Sequence, residues 1–538
     1  MPKPPQSSHS HDYDAIIIGG GHNGLTTANY LAMAGLRVCV LEQRHIVGGA
    51  AVSEEFHPGF RNSIASYVVS LLRPEVVEAL ELKKYGYEPI ALENAFYPDS
   101  NGDYILLTSD EDANREQYRK FSETDGASVD AFYDMVDTVG AVVSDQWLKT
   151  PPKISGGGLL DLVSAAKLGL DMRKLDESAR HRLLQFMVGA PISLIDTWFE
   201  SDKVKAKMAG ACTPANYASL HQPGSGMPML HHAVGELDGE AGAWGIVKGG
   251  MGAITQAMAK SAKAKGVDIR VNAPVEKILV ENDTACGVRL KDGEELRARV
   301  IAANTDPVRT FLMLLGEEHL PAEFARDISG FRQESASLRM NLALRGTPQF
   351  ACVPNDNEGA HLKASIMIVE SAEHIEQAYR QARAGIPADP PFIDALIPSM
   401  MDDTLTDRPG DHVMSLLCKY MPYDLAEGTW DDIKEDTAQK VIDYMTGIIP
   451  NLRDILVGYQ ILTPLDLERT FGLTRGDICH GRLEPDQLFS ARPHPAAAQY
   501  AGPVKGLYLC GSGAHPGGGV TGAPGHNAAQ RILKDIKR

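Results

Sequence analysis

Between Asp14 and Gly49 an apolar run, a glycine turn and an amphipathic stretch leave this chain few folds to adopt. Ile16, Ile17 and Ile18 are β-branched and read as a buried strand. Gly19, Gly21 and Gly24 follow at G-x-G-x-x-G spacing. Leu25, Ala28, Leu31 and Ala32 then mark one face of a helix that Gly35 stops. A second strand, Arg37 to Leu41, carries Glu42 at its end. In such a unit the first glycine permits the turn, the second lets backbone approach a pyrophosphate, and the third lets helix and strand pack closely. The pyrophosphate rests on the helix N-terminus and the acid takes ribose hydroxyls. A lone G-x-G-x-x-G carries little weight, but strand, helix and acid in their expected places make this a dinucleotide site.

The identity of the dinucleotide follows from two further features. Glu42 would repel a 2′-phosphate, which argues against NADP. Gly48 and Gly49, close after the acid, supply a further glycine turn of the kind that passes the diphosphate in FAD-binding chains, so FAD is favoured over NAD. The residues of this stretch expected around the cofactor are Gly19, Gly21, His22, Asn23, Gly24, Glu42, Gln43, Arg44, Gly48, Gly49, Ala50 and Ala51.

At 538 residues the chain is long enough for two or three domains, and 43% apolar content supports a sizeable core. A net charge of −18 argues against a nucleic-acid partner, which needs clustered Lys and Arg, and against adhesion to an anionic membrane by charge. Seven cysteines without any close pair fit buried thiols in a reducing compartment rather than disulfides or a zinc site, so no metal is expected. Cys39 and Cys510 sit inside apolar strand runs. Met1 to His11 shows neither an apolar signal core nor a clear presequence, and no stretch is long and apolar enough to span a bilayer.

Residues 50–105 read as loops and short helices, with a strand at Tyr104 to Leu107. From Glu111 to Leu230 the pattern is helical and broken at Gly156 to Gly158. Leu159 to Leu170, with Leu183 to Leu194, forms either a helical cap over a substrate pocket or a face for peripheral membrane contact. Short strands between Val267 and Ala303 return the chain to the nucleotide domain. Leu338, Met340, Leu342 and Leu344 alternate as in a half-buried strand of a second sheet. Ile366 to Val369, Phe392 to Ile397 and His412 to Leu417 add strands, and Ile433 to Ile448 a helix. Finally, Gly506 to Gly511 is a strand running into a glycine-rich turn, followed by a helix opened at Thr521 to Gly525.

The two ends, Ile16 to Gly49 and Gly506 to Ala529, resemble the phytoene desaturase-like FAD-dependent oxidoreductases of the glutathione-reductase structural class. The middle agrees: GGMGA at 249–253, Val275 and Ile278 in V-x-x-I spacing, and NTDP at 304–307. The resemblance implies an α/β fold with a discontinuous Rossmann-like FAD-binding domain (12–105, 245–330 and 500–538). An α+β substrate domain with a mixed or antiparallel sheet and a helical cap would occupy 106–244 and 331–499. It implies non-covalent FAD, with the backbone of Val275 at the adenine and Asn304 nearby. Gly511, Ser512, His515, Pro516, Gly518, Gly519 and Val520 would border the ribityl chain and isoalloxazine.

Two departures qualify the resemblance. The redox cysteine pair of disulfide-reducing relatives is absent after Gly49, and no second glycine fingerprint indicates a nicotinamide site. Flavin amine oxidases usually carry Arg after the glycine pair, where this chain has Ala50 and Ala51, which weakens an amine oxidase reading. The activity implied is removal of hydride from a hydrophobic substrate, with the flavin reoxidised by oxygen or a quinone. The alternatives are a redox-neutral isomerase or saturase, an amine oxidase, and a FAD-stabilised interaction protein with little turnover. His515 is the candidate base because imidazole titrates near neutral pH, unless it is a structural turn residue. His231 and His232 could line the pocket, but adjacent histidines on a helix diverge and do not match zinc spacing. Tyr420, Tyr423 and His480 are further pocket candidates. The cytoplasm is expected if the chain is bacterial, with the mitochondrial matrix as the alternative that the resemblance implies. Oligomeric state is not legible.

Overall fold

The structure is a computed structural model that describes residues 11–153, 175–213, 216–353 and 359–537. Strand β1 (Tyr13–Ile18) pairs in parallel with β2 (Val38–Leu41) on one side and with Glu295–Ala303 on the other. Asp268–Arg270 extends the parallel sheet beyond β2, and Leu507–Leu509 extends it beyond Glu295–Ala303. An antiparallel meander, Val275–Glu281 and Thr284–Leu290, hangs from the same central strand. Helix α1 (His22–Met33) covers this sheet because Leu25, Ala28 and Leu31 all face inward and are fully buried. It packs on the Gly252–Ala264 helix through Asn29, whose Nδ2 donates to Met258 O at 3.1 Å. The C-terminal helix, Ala523–Ile536, meets it through Thr27 Oγ1, which donates to Gly525 O at 3.0 Å.

The second sheet has seven strands and is mostly antiparallel. Ser337–Arg345 lies between Leu456–Leu462 and Asp411–Lys419, and Phe392–Leu396, Ala364–Ile368, Asn94–Pro98 and Tyr104–Leu107 follow in order. The Trp430–Ile448 helix packs on one face through Val441, Ile442, Met445 and Ile448, over a core that includes Leu338, Met340, Leu342 and Leu344. A layer of helices within 111–153, 175–213 and 216–233 stands over the other part of the domain, its core built on Phe132, Trp147, Phe186 and Leu230. No helix among the described residues is long and apolar enough to cross a membrane.

Three expectations change. Residues 50–105 hold the expected loops and short helices, at Pro74–Ala79 and Leu82–Tyr85, but also unexpected strands: Ser53–His57 and Phe60–Ser63 form a hairpin, and Asn94–Pro98 is a strand. These segments are polar or short, so their conformation comes from pairing partners rather than from local hydrophobic pattern. Asn94–Pro98 and Tyr104–Leu107 also belong to the second sheet, so the first stretch of the FAD-binding domain ends before residue 94 and not at 105. The cause is a parallel pairing of Asn94–Pro98 with Ala364–Ile368, far along the chain. The alternating strand is not half-buried either. Every residue from Ser337 to Leu344 is buried, because the polar side of the sheet is covered by the nucleotide domain and the helical layer. Leu183 and Leu194 are buried in the helical layer, while Leu159 to Leu170 and the Gly156 to Gly158 break lie outside the described residues.

Candidate cofactor site

The strand–turn–helix opens onto a cleft with a cavity of about 120 Å³. Gly19, Gly21, His22, Glu42, Gln43, Arg44, Gly48, Gly49, Ala50, Val275, Asn304 and Ser512, all named above as cofactor candidates, line it. The glycines are there for space. A side chain at Gly24 would run into the carbonyl oxygen of Gly19, and one at Gly21 would meet Asn304 Nδ2 at 2.7 Å. Helix α1 starts at Gly21 with no side-chain cap and no acidic residue in its first turn, so its N–H groups keep their affinity for an anion.

Glu42 sits at the end of β2, 5% exposed. Its Oε2 accepts from Gly20 N at 2.8 Å and its Oε1 from Arg44 N at 2.9 Å. Burial raises its pKa and these two amides oppose the shift. Arg44 forks onto Glu54 at 2.8 and 3.0 Å and lies over the Phe471 ring. Among the described residues its buried Nη1 finds no acceptor, nor does Arg309 Nε, and His480 Nδ1 is buried without a partner. All three residues line the cleft. Two cationic groups with unused donors, a bare helix N-terminus and a carboxylate for hydroxyls match a ribose–diphosphate in charge and hydrogen bonding. The residues present fit the cofactor.

Other predicted residues stand behind the wall rather than in it. Asn23 holds the turn by donating from Nδ2 to Ser512 Oγ at 3.1 Å, and Gly24 and Ala51 are fully packed. Gly511, Pro516, Gly518, Gly519 and Val520 form the C-terminal turn beside the cleft and do not line it. That turn is held by two imidazoles from different helices. His22 donates from Nε2 to Gly519 O at 3.1 Å, and His231, on Met227–Ala233, donates to Gly518 O at 2.8 Å. Because a carbonyl can only accept, these contacts fix the Nε2–H tautomer on each ring. His231 also packs on Trp147. The His232 side chain lies outside what the structure describes.

His515 requires a correction. It is 2% exposed and donates from Nε2 to Gln146 O at 3.0 Å. Burial pushes its pKa down to about 4, so it does not titrate near neutral pH and would be a weak base. It faces a small apolar cavity of Val143, Trp147, Met227, Leu483, Leu488 and Phe489, shared with His231 and Pro516. Tyr420 is buried and donates to Asn216 O at 3.0 Å, and Tyr423 bonds to Glu468; neither lines the cleft.

The sequence reading missed the far wall: Thr305, Arg309, Phe471, Gly472, Leu473 and Ile478, with His480 the one candidate it named there. Asp306, within NTDP, organises this wall. Its Oδ1 accepts from Arg309 N at 2.9 Å and its Oδ2 from Thr474 Oγ1 at 2.7 Å. Asp477 shapes the adjoining loop by accepting from Cys479 N at 2.7 Å and Gly481 N at 3.1 Å, which carries His480 at a positive φ of 55°.

Asp477 also gives a pH signature. Burial raises its pKa from 3.8 to about 6, against the pull of those amides and Arg492. Below about pH 4 the carboxyl is protonated in both states and its contribution to stability is whole. Between about pH 4 and 6 the unfolded chain ionises first, so this contribution falls as pH rises and is gone above about 6. The window is worth roughly 3 kcal/mol at about 1.4 kcal/mol per unit. Urea unfolding of Asp477→Asn should therefore lose about this much slope relative to wild type between these limits. Parallel curves would contradict the assignment.

Comparison with known proteins agrees with the site. A family model described as flavin containing amine oxidoreductase matches residues 24–337. The chain belongs to that family. Its cofactor is FAD, and it is an oxidoreductase of the amine oxidase and desaturase superfamily. It is 40% identical to rat pyridine nucleotide-disulfide oxidoreductase domain-containing protein 2, over 98% of this chain and 94% of that one. It is 28% identical to a subunit of limonene dehydrogenase from Castellaniella defragrans, over 97% of this chain and 95% of that one. Its fold is that of cyclohexylamine oxidase from Brevibacterium oxydans, with a TM-score of 0.58 at 15% identity, over 98% of this chain and all of that one. The expected glutathione-reductase-type architecture stands, and family membership holds despite Ala50 and Ala51.

Proposed function

We propose that this chain dehydrogenates a hydrophobic organic substrate, with oxygen or a quinone as the final electron acceptor. In this reading Glu42 holds the ribose hydroxyls, the Gly19 to Gly24 turn and the α1 N-terminus hold the diphosphate, and the Val275 backbone meets the adenine. Arg44 and Arg309 neutralise charge from either side. The C-terminal turn, clamped by His22 and His231, positions the isoalloxazine edge. Bound flavin supplies the two-electron acceptor for a substrate C–H bond.

The observation that carries the reading is the apolar wall at the His515–Pro516 end of that turn, around a void of about 10 Å³ that a substrate would have to widen. Val143, Trp147, Met227, Leu483, Leu488 and Phe489 line it, and both of its imidazoles spend Nε2–H on backbone carbonyls. Such a wall excludes water and suits a substrate recognised by shape. It offers no group that exchanges a proton near neutral pH through His515, which suits oxidation at carbon better than a reaction needing a strong base. The likeness to part of a limonene dehydrogenase points the same way.

The test is anaerobic titration of the flavin-loaded protein, followed by visible absorption, with alkenes, alcohols, amines and NADH. Bleaching by an oxidisable hydrophobic compound and not by NADH is the expected result. Bleaching by amines alone would make it an amine oxidase. Bleaching by NADH would reveal a nicotinamide site. A flavin that none of them reduces would favour an interaction protein.

A further inference from the structure

The second sheet has a charged face that the cofactor does not explain. On Ser337–Arg345 the leucines and Met340 point to the Trp430–Ile448 helix, so Arg339 and Asn341 point the other way. Arg339 is opposite Leu417, which is opposite Asp394, which is opposite Met367, in one row across four strands. Lys419, fully buried, bonds to Asp394 at 2.6 Å and lies over Phe392. Arg339 is 1% exposed. Its Nη1 donates to Leu416 O at 2.8 Å and its Nη2 to Ser415 Oγ at 2.6 Å, while its Nε is buried with no acceptor among the described residues. The guanidinium stacks on Tyr67, 4.5 Å from the ring centre.

Lys207 adds a third buried cation from the Asp202–Gly210 helix. Its ammonium sits among the rings of Tyr97, Tyr118 and Tyr133 and bonds to the Tyr133 hydroxyl, with no carboxylate partner among the described residues. Its neighbour Lys203, by contrast, is matched by Asp99 at 2.6 Å. Among the described residues Asp394 is thus the one carboxylate paired with Lys419 and acting on Arg339, and none pairs with Lys207. Burial lowers Arg339 to about 10, which leaves it charged at neutral pH.

The edge of the cluster keeps contact with solvent and lies near the cofactor cleft. Tyr67, Asp394 and Met367 keep partial exposure, and Ser66, next to Tyr67, donates to Ala50 O at 2.9 Å beside the glycine pair. Cations taken out of water without partners are costly, and a site that keeps them is one where an incoming anion completes the balance. We infer that this face is an oxyanion subsite, and that the substrate is an apolar molecule ending in a carboxylate that Arg339 receives through its unpaired Nε–H. Lys419 and Lys207 supply the surrounding field. The inference rests on the reading above that the substrate is an apolar molecule oxidised by the flavin.

Calorimetric titration of the flavin-loaded protein with decanoate, decanol and decyl phosphate tests it. Decanoate is expected to bind at least about tenfold more tightly than decanol. Arg339→Gln should lose that margin while binding decanol as wild type does and retaining flavin. Lys207→Met, remote from the proposed contact, should narrow the margin without removing it. Equal affinity for decanoate and decanol in the wild type overturns the inference, whatever the variants do. A margin that survives Arg339→Gln overturns it as well, and a tenfold preference for decyl phosphate over decanoate replaces the carboxylate with a phosphate. Calorimetry reads binding and not bleaching, so failure here and failure of the dehydrogenase reading are separate results.

Discussion

Replacing Arg492 with methionine should unfold the cofactor wall. This guanidinium is fully buried and donates to six backbone carbonyls. Nε and Nη2 reach Ser512 O at 3.0 and 2.8 Å. Nη1 reaches Arg482 O and Gln487 O, and Nη2 also reaches Cys479 O, His480 O and Gly481 O. One side chain therefore ties the loop that carries His480 to the turn that carries Ser512, and both residues line the cleft. Methionine has similar length and no donors, so several buried carbonyls would be left unpaired at about 1–3 kcal/mol for each that water cannot reach. A loss of at least about 3 kcal/mol in urea unfolding is expected, with flavin content falling in parallel. Lysine should rescue only partly, because an ammonium cannot fan out to both strands of the clamp. If Arg492→Met kept wild-type stability and flavin content, the clamp would have no energetic role.

The second large effect concerns two glycines three residues apart that fail in different ways. At Gly24 a methyl group would meet backbone, the Gly19 carbonyl, at the point where α1 crosses β1. Backbone cannot step aside without separating helix from sheet, so Gly24→Ala should cost several kcal/mol, at or above the usual range of about 1–3 for overpacking, and abolish flavin binding. At Gly21 the obstacle is Asn304 Nδ2, the end of a side chain that can rotate. Gly21→Ala should fold nearly as well as wild type yet bind FAD weakly, because the methyl fills space the diphosphate needs. Thermal unfolding of the two apoproteins, with equilibrium dialysis against FAD, separates the cases. Equal destabilisation by both would mean that the close crossing at Gly24 relaxes easily.

What the sequence made legible was whatever depends on neighbours along the chain. The glycine turn, α1, β2 and Glu42 form one contiguous unit whose parts explain one another, and the C-terminal strand–turn–helix is equally local. Ser512 and Val275 could be placed through the resemblance. Arg309, Phe471, Asp477 and Arg492 could not, because each is an ordinary residue in an irregular segment, and its role arises only when distant segments meet. Arg492 in particular has no motif: a buried arginine bonded to carbonyls looks, in sequence, like any surface arginine. The same limit hid the hairpin at Ser53–Ser63 and the pairing of Asn94–Pro98 with a strand far downstream. For His515 the sequence could not choose between a base and a structural turn residue, for another reason. Its position on the turn was clear, but burial, which sets its titration, is a property of the fold.

The parallel sheet that opens at Tyr13 is completed only by Leu507–Leu509, and α1 gains its partner only from Ala523–Ile536. A ribosome making this chain therefore releases the glycine turn long before the wall opposite it and the strand beside it exist. The FAD site cannot close while synthesis is under way, so flavin capture belongs to the finished polypeptide. Until then the apolar edge of the first strands depends on whatever shields it in the cell.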